Sequence, residues 1–71
     1  MAGLNAKTRS TLLLEPRPSD ADDVRVDRDG LVWRCCWIRD GRIAVRFGPG
    51  FMHVAEAAEA ARLVREGHGL T

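Results

Sequence analysis

The stretch from Leu31 to Arg39 most constrains what this chain can fold into. It reads Leu-Val-Trp-Arg-Cys-Cys-Trp-Ile-Arg, and an Asp-Gly pair lies at each end, at Asp29-Gly30 and at Asp40-Gly41. An Asp-Gly pair between apolar runs is a strong short-range signal for a β-hairpin turn. The sequence therefore predicts that residues 31–39 form the central strand of a three-stranded antiparallel sheet.

The first turn sets the register between this strand and the one before it. With Asp29-Gly30 as the two central turn residues, Arg28 pairs with Leu31. Counting back along the alternating apolar and polar run that precedes the turn, Val26 lies opposite Trp33. We therefore expect the apolar residues of both strands to share one face of the sheet.

The second turn can be closed in two ways. A two-residue Asp40-Gly41 loop would scatter the large apolar side chains over both faces of the sheet. A three-residue loop that also includes Arg39, with glycine in the left-handed bulge position, pairs Trp37 with Ile43 and keeps one coherent apolar face. We therefore expect the three-residue loop and the following buried face: Val24, Val26, Leu31, Trp33, Cys35, Trp37, Ile43, Val45 and Phe47.

The last third of the chain predicts a helix. Residues 55–66 follow a Gly48-Pro49-Gly50 turn and are almost all good helix formers. Small apolar residues recur at helical spacing on one side of this stretch and charged residues on the other, and Gly67 is a natural helix end. We expect this helix to pack across the sheet through its alanines, with the tryptophans supplying the bulk.

Residues 1–23 are predicted to be a flexible N-terminal arm, since Pro16 and Pro18 remove backbone donors and interrupt a helix. Its leucines either cover the sheet of the same chain or insert into a second subunit, and both alternatives remain open for Leu12, Leu13 and Leu14. The predicted fold is α+β: a three-stranded antiparallel β-meander with one C-terminal α-helix packed on one face (βββα), spanning residues 24–67. Residues 68–71 form a tail.

Composition limits the class of protein. A chain of 71 residues buries only a small core, which favours help from a partner and predicts a homodimer. The net charge of +1 argues against a strongly electrostatic nucleic-acid binder. The chain shows no signal peptide, its longest leucine run is far too short for a membrane span, and its two cysteines are adjacent; we expect a reducing, cytoplasmic location with no membrane partner.

No arrangement of side chains predicts an enzyme. A thiol nucleophile needs a positioned base, but Cys35 is predicted to lie in the core and His68 in the tail. Adjacent residues on a strand point to opposite faces, so Cys35 and Cys36 are poorly placed to bond each other or to hold one metal ion. We expect no catalytic, cofactor or metal site, and no cofactor.

The sheet face away from the helix is the candidate binding surface. Its small apolar residues predict a protein interface at Val32, Cys36 and Ile38. Its arginines alternatively predict contacts with DNA phosphates or guanine edges through Arg25, Arg34, Arg42 and Arg46. A third interpretation is an ordinary solvated face whose arginine stems cover the apolar side chains.

The element order gives a resemblance. From Val24 to about Glu66 the order strand, strand, strand, helix, with Gly48 and Phe51 leading into the alanine-rich run from Ala55 to Ala61, resembles the AP2-type and integrase amino-terminal DNA-binding domains. In those families the exposed face of the sheet enters the major groove and the helix packs behind it. The resemblance implies that Arg25, Arg34, Arg42 and Arg46 contact DNA.

These observations favour a small non-enzymatic binding protein that acts through the helix-free sheet face. The partner is expected to be a protein, either a second copy or a host or regulatory protein, and a DNA-binding module or regulator is the alternative. Ten of the eleven basic residues are arginine and alanine is abundant, which is typical of GC-rich coding sequences. A bacterial, phage or mobile-element origin is therefore predicted.

Overall fold

The computed structural model describes residues 3–70 and contains two helices and one three-stranded sheet. The strands are antiparallel and lie in the order β1-β2-β3, which is a meander. The predicted α+β class and the predicted meander are confirmed. In chain order the elements are α1 (Ala6–Leu13), β1 (Asp23–Asp29), β2 (Val32–Arg39), β3 (Arg42–Phe51) and α2 (Val54–Gly67).

Helix α1 corrects the prediction of a single helix. Its start is capped by Asn5, whose side-chain oxygen accepts a hydrogen bond of 2.8 Å from the Thr8 backbone N–H. The helix ends before Pro16, so the prolines limit its length but do not keep residues 6–13 from forming a helix. Only Leu12 of the helix is buried, and it belongs to the core cluster. Because the apolar stripe is one residue wide, helical periodicity was not visible in the sequence.

The first hairpin turns one residue later than predicted, which shifts the pairing of β1 with β2 by two residues. Asp29 pairs with Val32, so the central turn residues are Gly30 and Leu31. Gly30 has φ +65°, the conformation that a type II′ turn requires at its first central position. A shift of two residues keeps every side chain on its predicted face, since the side-chain period of a strand is two. Leu31 is the exception: it sits at the turn, 84% exposed, and its prediction as a core residue is wrong.

The second hairpin has a two-residue turn, not the predicted three-residue loop. Asp40 and Gly41 both have positive φ (54° and 74°), as in a type I′ turn. A β-bulge in β3 then supplies the extra residue, because Ile38 pairs with Ile43 but Trp37 pairs with Val45. Ile43 therefore shares a face with Ile38 on the side away from the helices, which corrects its predicted place in the core.

The core lies between the sheet and both helices. Helix α2 buries Ala57, Ala60, Ala61 and Val64, and these residues form one cluster with Leu12 of α1 and with the inner face of the sheet. The Trp37 ring stacks on Phe47 with centroids 5.2 Å apart and meets the His68 ring edge-on at 5.1 Å. His68 Nε2 also lies 3.1 Å from the Glu15 carbonyl oxygen. His68 is thus packed against the core, although the sequence pattern placed it in a tail.

Candidate functional site

The candidate site is the helix-free face, which we define as the sheet surface opposite α1 and α2. The register brings side chains of all three strands onto this face. Strand β1 contributes aspartates and an arginine, and the other two strands contribute apolar and basic residues. Its members are Asp23, Arg25 and Asp27 of β1; Val32, Arg34, Cys36 and Ile38 of β2; and Ile43 and Arg46 of β3.

One ion pair crosses the whole sheet on this face. Arg46 of β3 donates from Nη2 to Oδ2 of Asp27 of β1 at 2.9 Å, so its side chain passes over the central strand. Cys36 of β2 pairs directly with Arg46 and is fully buried. The hydrogen bond that Arg46 donates to Asp27 raises the pKa of Arg46. We infer that this ion pair covers the Cys36 thiol.

Two further arginines of the helix-free face also have acidic neighbours. Arg25 Nε lies 3.3 Å from Asp23 Oδ2, and Arg34 Nη1 lies 3.3 Å from Asp29 Oδ2. Arg34 donates a second bond to the Gly48 carbonyl at 3.1 Å, which links β2 to the end of β3. The positive charges predicted for DNA binding are therefore largely balanced within the chain.

Arg42 differs from the other three candidate DNA contacts. Within residues 3–70 no carboxylate oxygen lies within 4.0 Å of its guanidinium. It stands beside the β2–β3 turn, directly opposite Arg39. Like charges directly opposite on paired strands are unfavourable. The structure thus brings Arg25, Arg34 and Arg46 together on one face, whereas Arg42, the neighbour of Ile43 in β3, lies at the turn and on the other side of the sheet.

The predicted interface residues are more covered than the sequence pattern suggests. Cys36 is fully buried, and Ile38 is 4% exposed. Val32 is half-buried against the chain's own backbone, since a methyl group on Gly50 would lie only 2.6 Å from Val32 Cγ2. Ile43, at 40% exposed, is the large apolar side chain that the face presents to solvent. The sequence pattern missed Ile43 because the bulge reverses its face.

The thiols show no sign of activation. Burial, with a smaller effect of the neighbouring Cys36, raises the pKa of Cys35 to about 11. Burial also raises the pKa of Cys36, and the Asp27 carboxylate adds to this rise. A nucleophilic cysteine needs the opposite shift. Within residues 3–70 no group of three His, Cys, Asp or Glu side chains is arranged to hold a metal ion.

The helix-free face thus consists of ion pairs within the chain and one small exposed apolar area at Ile43. Comparison of the chain with protein-family models, with curated proteins and with solved structures finds no match. The resemblance to the AP2-type and integrase amino-terminal domains therefore stays a prediction. No helix in the described part of the chain has the length and apolar character needed to cross a bilayer.

Proposed function

We propose that this protein is a non-enzymatic binding protein that associates with another protein through its helix-free face. The observation that carries the proposal is the ion pairing on that face. Three of the four candidate DNA-binding arginines already contact aspartates. A phosphate backbone would have to displace these carboxylates, whereas a protein surface can add its own charges to an alternating pattern.

A second copy of this chain is the partner that the face fits best. Around a two-fold axis each surface meets itself, so an interface must be self-complementary. The helix-free face alternates aspartate and arginine, and a second copy can set each charge against one of opposite sign. The exposed Ile43 side chain offers an apolar contact within this charged surround. The small core of the chain makes such association favourable.

DNA binding is the second candidate, and Arg42 is the residue that favours it. Its guanidinium is exposed and has no carboxylate partner in the described residues. In this alternative, Arg25, Arg34 and Arg46 would exchange their aspartates for phosphate oxygens. Such contacts release counterions from the duplex, so binding would weaken steeply as salt is raised from about 50 to 200 mM.

Sedimentation equilibrium of the parent and of two charge-matched variants tests the proposal. Arg25→Glu places a carboxylate beside Asp23 on the helix-free face, and Arg62→Glu makes the same charge change on the exposed side of α2. An exposed ion pair contributes at most about 1 kcal/mol to folding, so both variants should fold. We expect the parent and Arg62→Glu to dimerise and Arg25→Glu to remain monomeric.

Two results would count against this function. A parent protein that stays monomeric, or an Arg25→Glu variant that dimerises as well as the parent, removes the second copy as partner on this face. Fluorescence anisotropy with a labelled DNA duplex is the companion measurement. Salt-sensitive binding by the parent that is lost in Arg42→Glu would favour the DNA alternative instead.

A further inference from the structure

The two outer edges of the sheet differ in whether their outward-facing backbone groups have hydrogen-bond partners. At the β1 edge, the Val24 N–H donates to Asp23 Oδ1 at 2.8 Å and the Val24 carbonyl accepts from Arg65 Nη1 of α2 at 2.8 Å. Both backbone groups are therefore satisfied without another strand. At the β3 edge, no strand within residues 3–70 lies beyond β3. An open edge strand is a template for pairing with another chain.

The backbone of Ile43 faces this open edge. The Ile38 carbonyl accepts a hydrogen bond of 2.9 Å from the Asp22 N–H, on the β1 side of β2. The N–H and C=O of one strand residue point to the same side, so Ile38 makes no ladder bond to β3. Ile43, its direct partner, therefore directs its own N–H and C=O away from the sheet.

The side chains of this part of β3 are also available for contact. Val45 is 45% exposed on the helix side and Ile43 is 40% exposed on the opposite side, so the edge is apolar on both faces. Beside it lies an open cavity of about 480 Å³ lined by Arg39, Asp40, Arg42, Ile43 and Ala44. Neither Arg39 nor Arg42 lies within 4.0 Å of a carboxylate in the described residues. The edge therefore combines free backbone groups, apolar side chains and a positive charge.

We propose that the β3 segment Arg42–Arg46 is a strand-addition site for an extended acidic segment of a partner protein. Residues 42–51 contain two arginines and no acidic residue, so a second β3 would bring like charges together, whereas an acidic strand complements them. The bulge at Ala44 interrupts the ladder and restricts backbone pairing to a short length. Side-chain contacts with Arg42 and Val45 must then supply much of the affinity.

The edge site is separate from the association proposed for the helix-free face. Val45 pairs with the buried Trp37 and so points to the helix side of the sheet. Arg42 lies at the turn, outside the ion-paired group of Arg25, Arg34 and Arg46. The two proposals share Ile43 and Arg46, but Arg42 and Val45 belong to the edge site alone, so each proposal can fail without the other.

Amide chemical shifts of the isotope-labelled full chain test the site directly. The probe is a short synthetic peptide that alternates glutamate and valine, and its control has lysine in place of every glutamate. We expect the acidic peptide to shift the amides of Ile43, Val45 and Arg46, and the lysine peptide to leave them unchanged. Arg42→Glu should weaken binding at least about tenfold through like-charge repulsion, whereas Arg62→Glu should bind as the parent does.

Ile43→Pro tests the backbone pairing. Proline is tolerated on an edge strand where the N–H faces outward, and it removes the donor that an added strand would use. If that variant does not fold, Val45→Ser tests the same edge, because it removes the exposed apolar side chain without adding a charge. Loss of acidic-peptide binding in the folded variant supports strand addition.

Three results would overturn the inference: equal binding of the acidic and lysine peptides, shifts confined to residues of the helix-free face such as Arg25 and Arg34, or an undiminished affinity in Val45→Ser. If the chain sediments as a monomer and still binds the peptide at β3, the edge site is supported and the proposed dimer is contradicted. If the chain dimerises and does not bind the peptide, the proposed dimer is supported and the edge site is contradicted.

Discussion

Cys35 and Cys36 are neighbours in the chain but lie in different environments. Cys35 faces α2, where its Sγ lies 3.6 Å from the Ala57 carbonyl oxygen, and Cys36 faces the opposite side beneath the Arg46–Asp27 ion pair. Strand alternation alone predicts this separation. Alternation does not show that Cys36 is fully buried, because the ion pair on its side joins Asp27 of the strand before it to Arg46 of the strand after it.

Raising the pH from 9 to 11 is expected to destabilise the fold through Cys35. Its thiol ionises near pH 9.0 in the unfolded chain and near 11 in the fold, so the folded state holds the proton more tightly. This stabilisation is fully present below pH 9 and is lost as the pH rises through about 11. Two pKa units correspond to about 3 kcal/mol. Urea unfolding midpoints measured across this range report the loss.

Cys35→Ala is the control for the alkaline transition. The chain has no tyrosine, so that common source of alkaline titration is absent. The variant should lose less stability than the parent over the same pH range, although it begins less stable at neutral pH. An equally steep pH dependence in Cys35→Ala would show that another group is responsible.

The helices and strands differ in how far their positions can be predicted from the local sequence. Helix α2 follows from a long run of good helix formers with an apolar side, and the strands follow from alternation between turn residues. Helix α1 has a single buried residue, Leu12, and therefore no periodic pattern to read. Its place is decided by contacts with α2, including the approach of the Leu13 side chain to Gly67 and the ion pair between Arg9 and Glu59 at 3.8 Å.

Leu12→Ala and Leu14→Ala make a matched pair that tests whether α1 is part of the folded unit. Leu12 is fully buried, whereas Leu14 just beyond the helix is 82% exposed. Removing a buried leucine side chain costs about 2–5 kcal/mol, and the same change at an exposed site is usually within about 0.5 kcal/mol. Thermal unfolding should show a lower midpoint for Leu12→Ala alone. Equal midpoints would mean that α1 does not dock in solution.

At the scale of the whole molecule, the two faces of the sheet differ in how they are covered. Both helices cover one face of the sheet, and the Cα atoms extend only 17 Å along the shortest axis, as two layers require. Within residues 3–70 no helix covers the other face, which is covered by its own long side chains. Two kinds of opening motion should therefore exist, one that moves an arginine side chain and one that separates α2 from the sheet.

The two thiols can report these motions separately. In a Cys35→Ala chain, Cys36 should react with a disulfide reagent at least about tenfold faster than Cys35 reacts in a Cys36→Ala chain, because side-chain motion is easier than helix separation. Asp27→Asn removes one charge of the covering ion pair and should speed labelling of Cys36 alone. Reaction rates followed under native conditions, with unfolding stabilities measured for each variant, provide the comparison. Equal reaction rates for the two thiols would contradict the expectation that the helix-free face opens more easily than the helix-covered face.

The sequence by itself determined the class of the fold, the number and order of the strands, the helix α2 and the face of most strand residues. These are consequences of local turn chemistry and of periodicity, which neighbours along the chain supply. The tertiary structure alone decided the bulge that moves Ile43 to the helix-free face, the docking of Leu12 and the Arg46–Asp27 ion pair over Cys36. The docking of Leu12 and the ion pair depend on residues far apart in the chain. The bulge depends on how two paired strands divide their side chains between the two faces of the sheet, which alternation along one strand does not record.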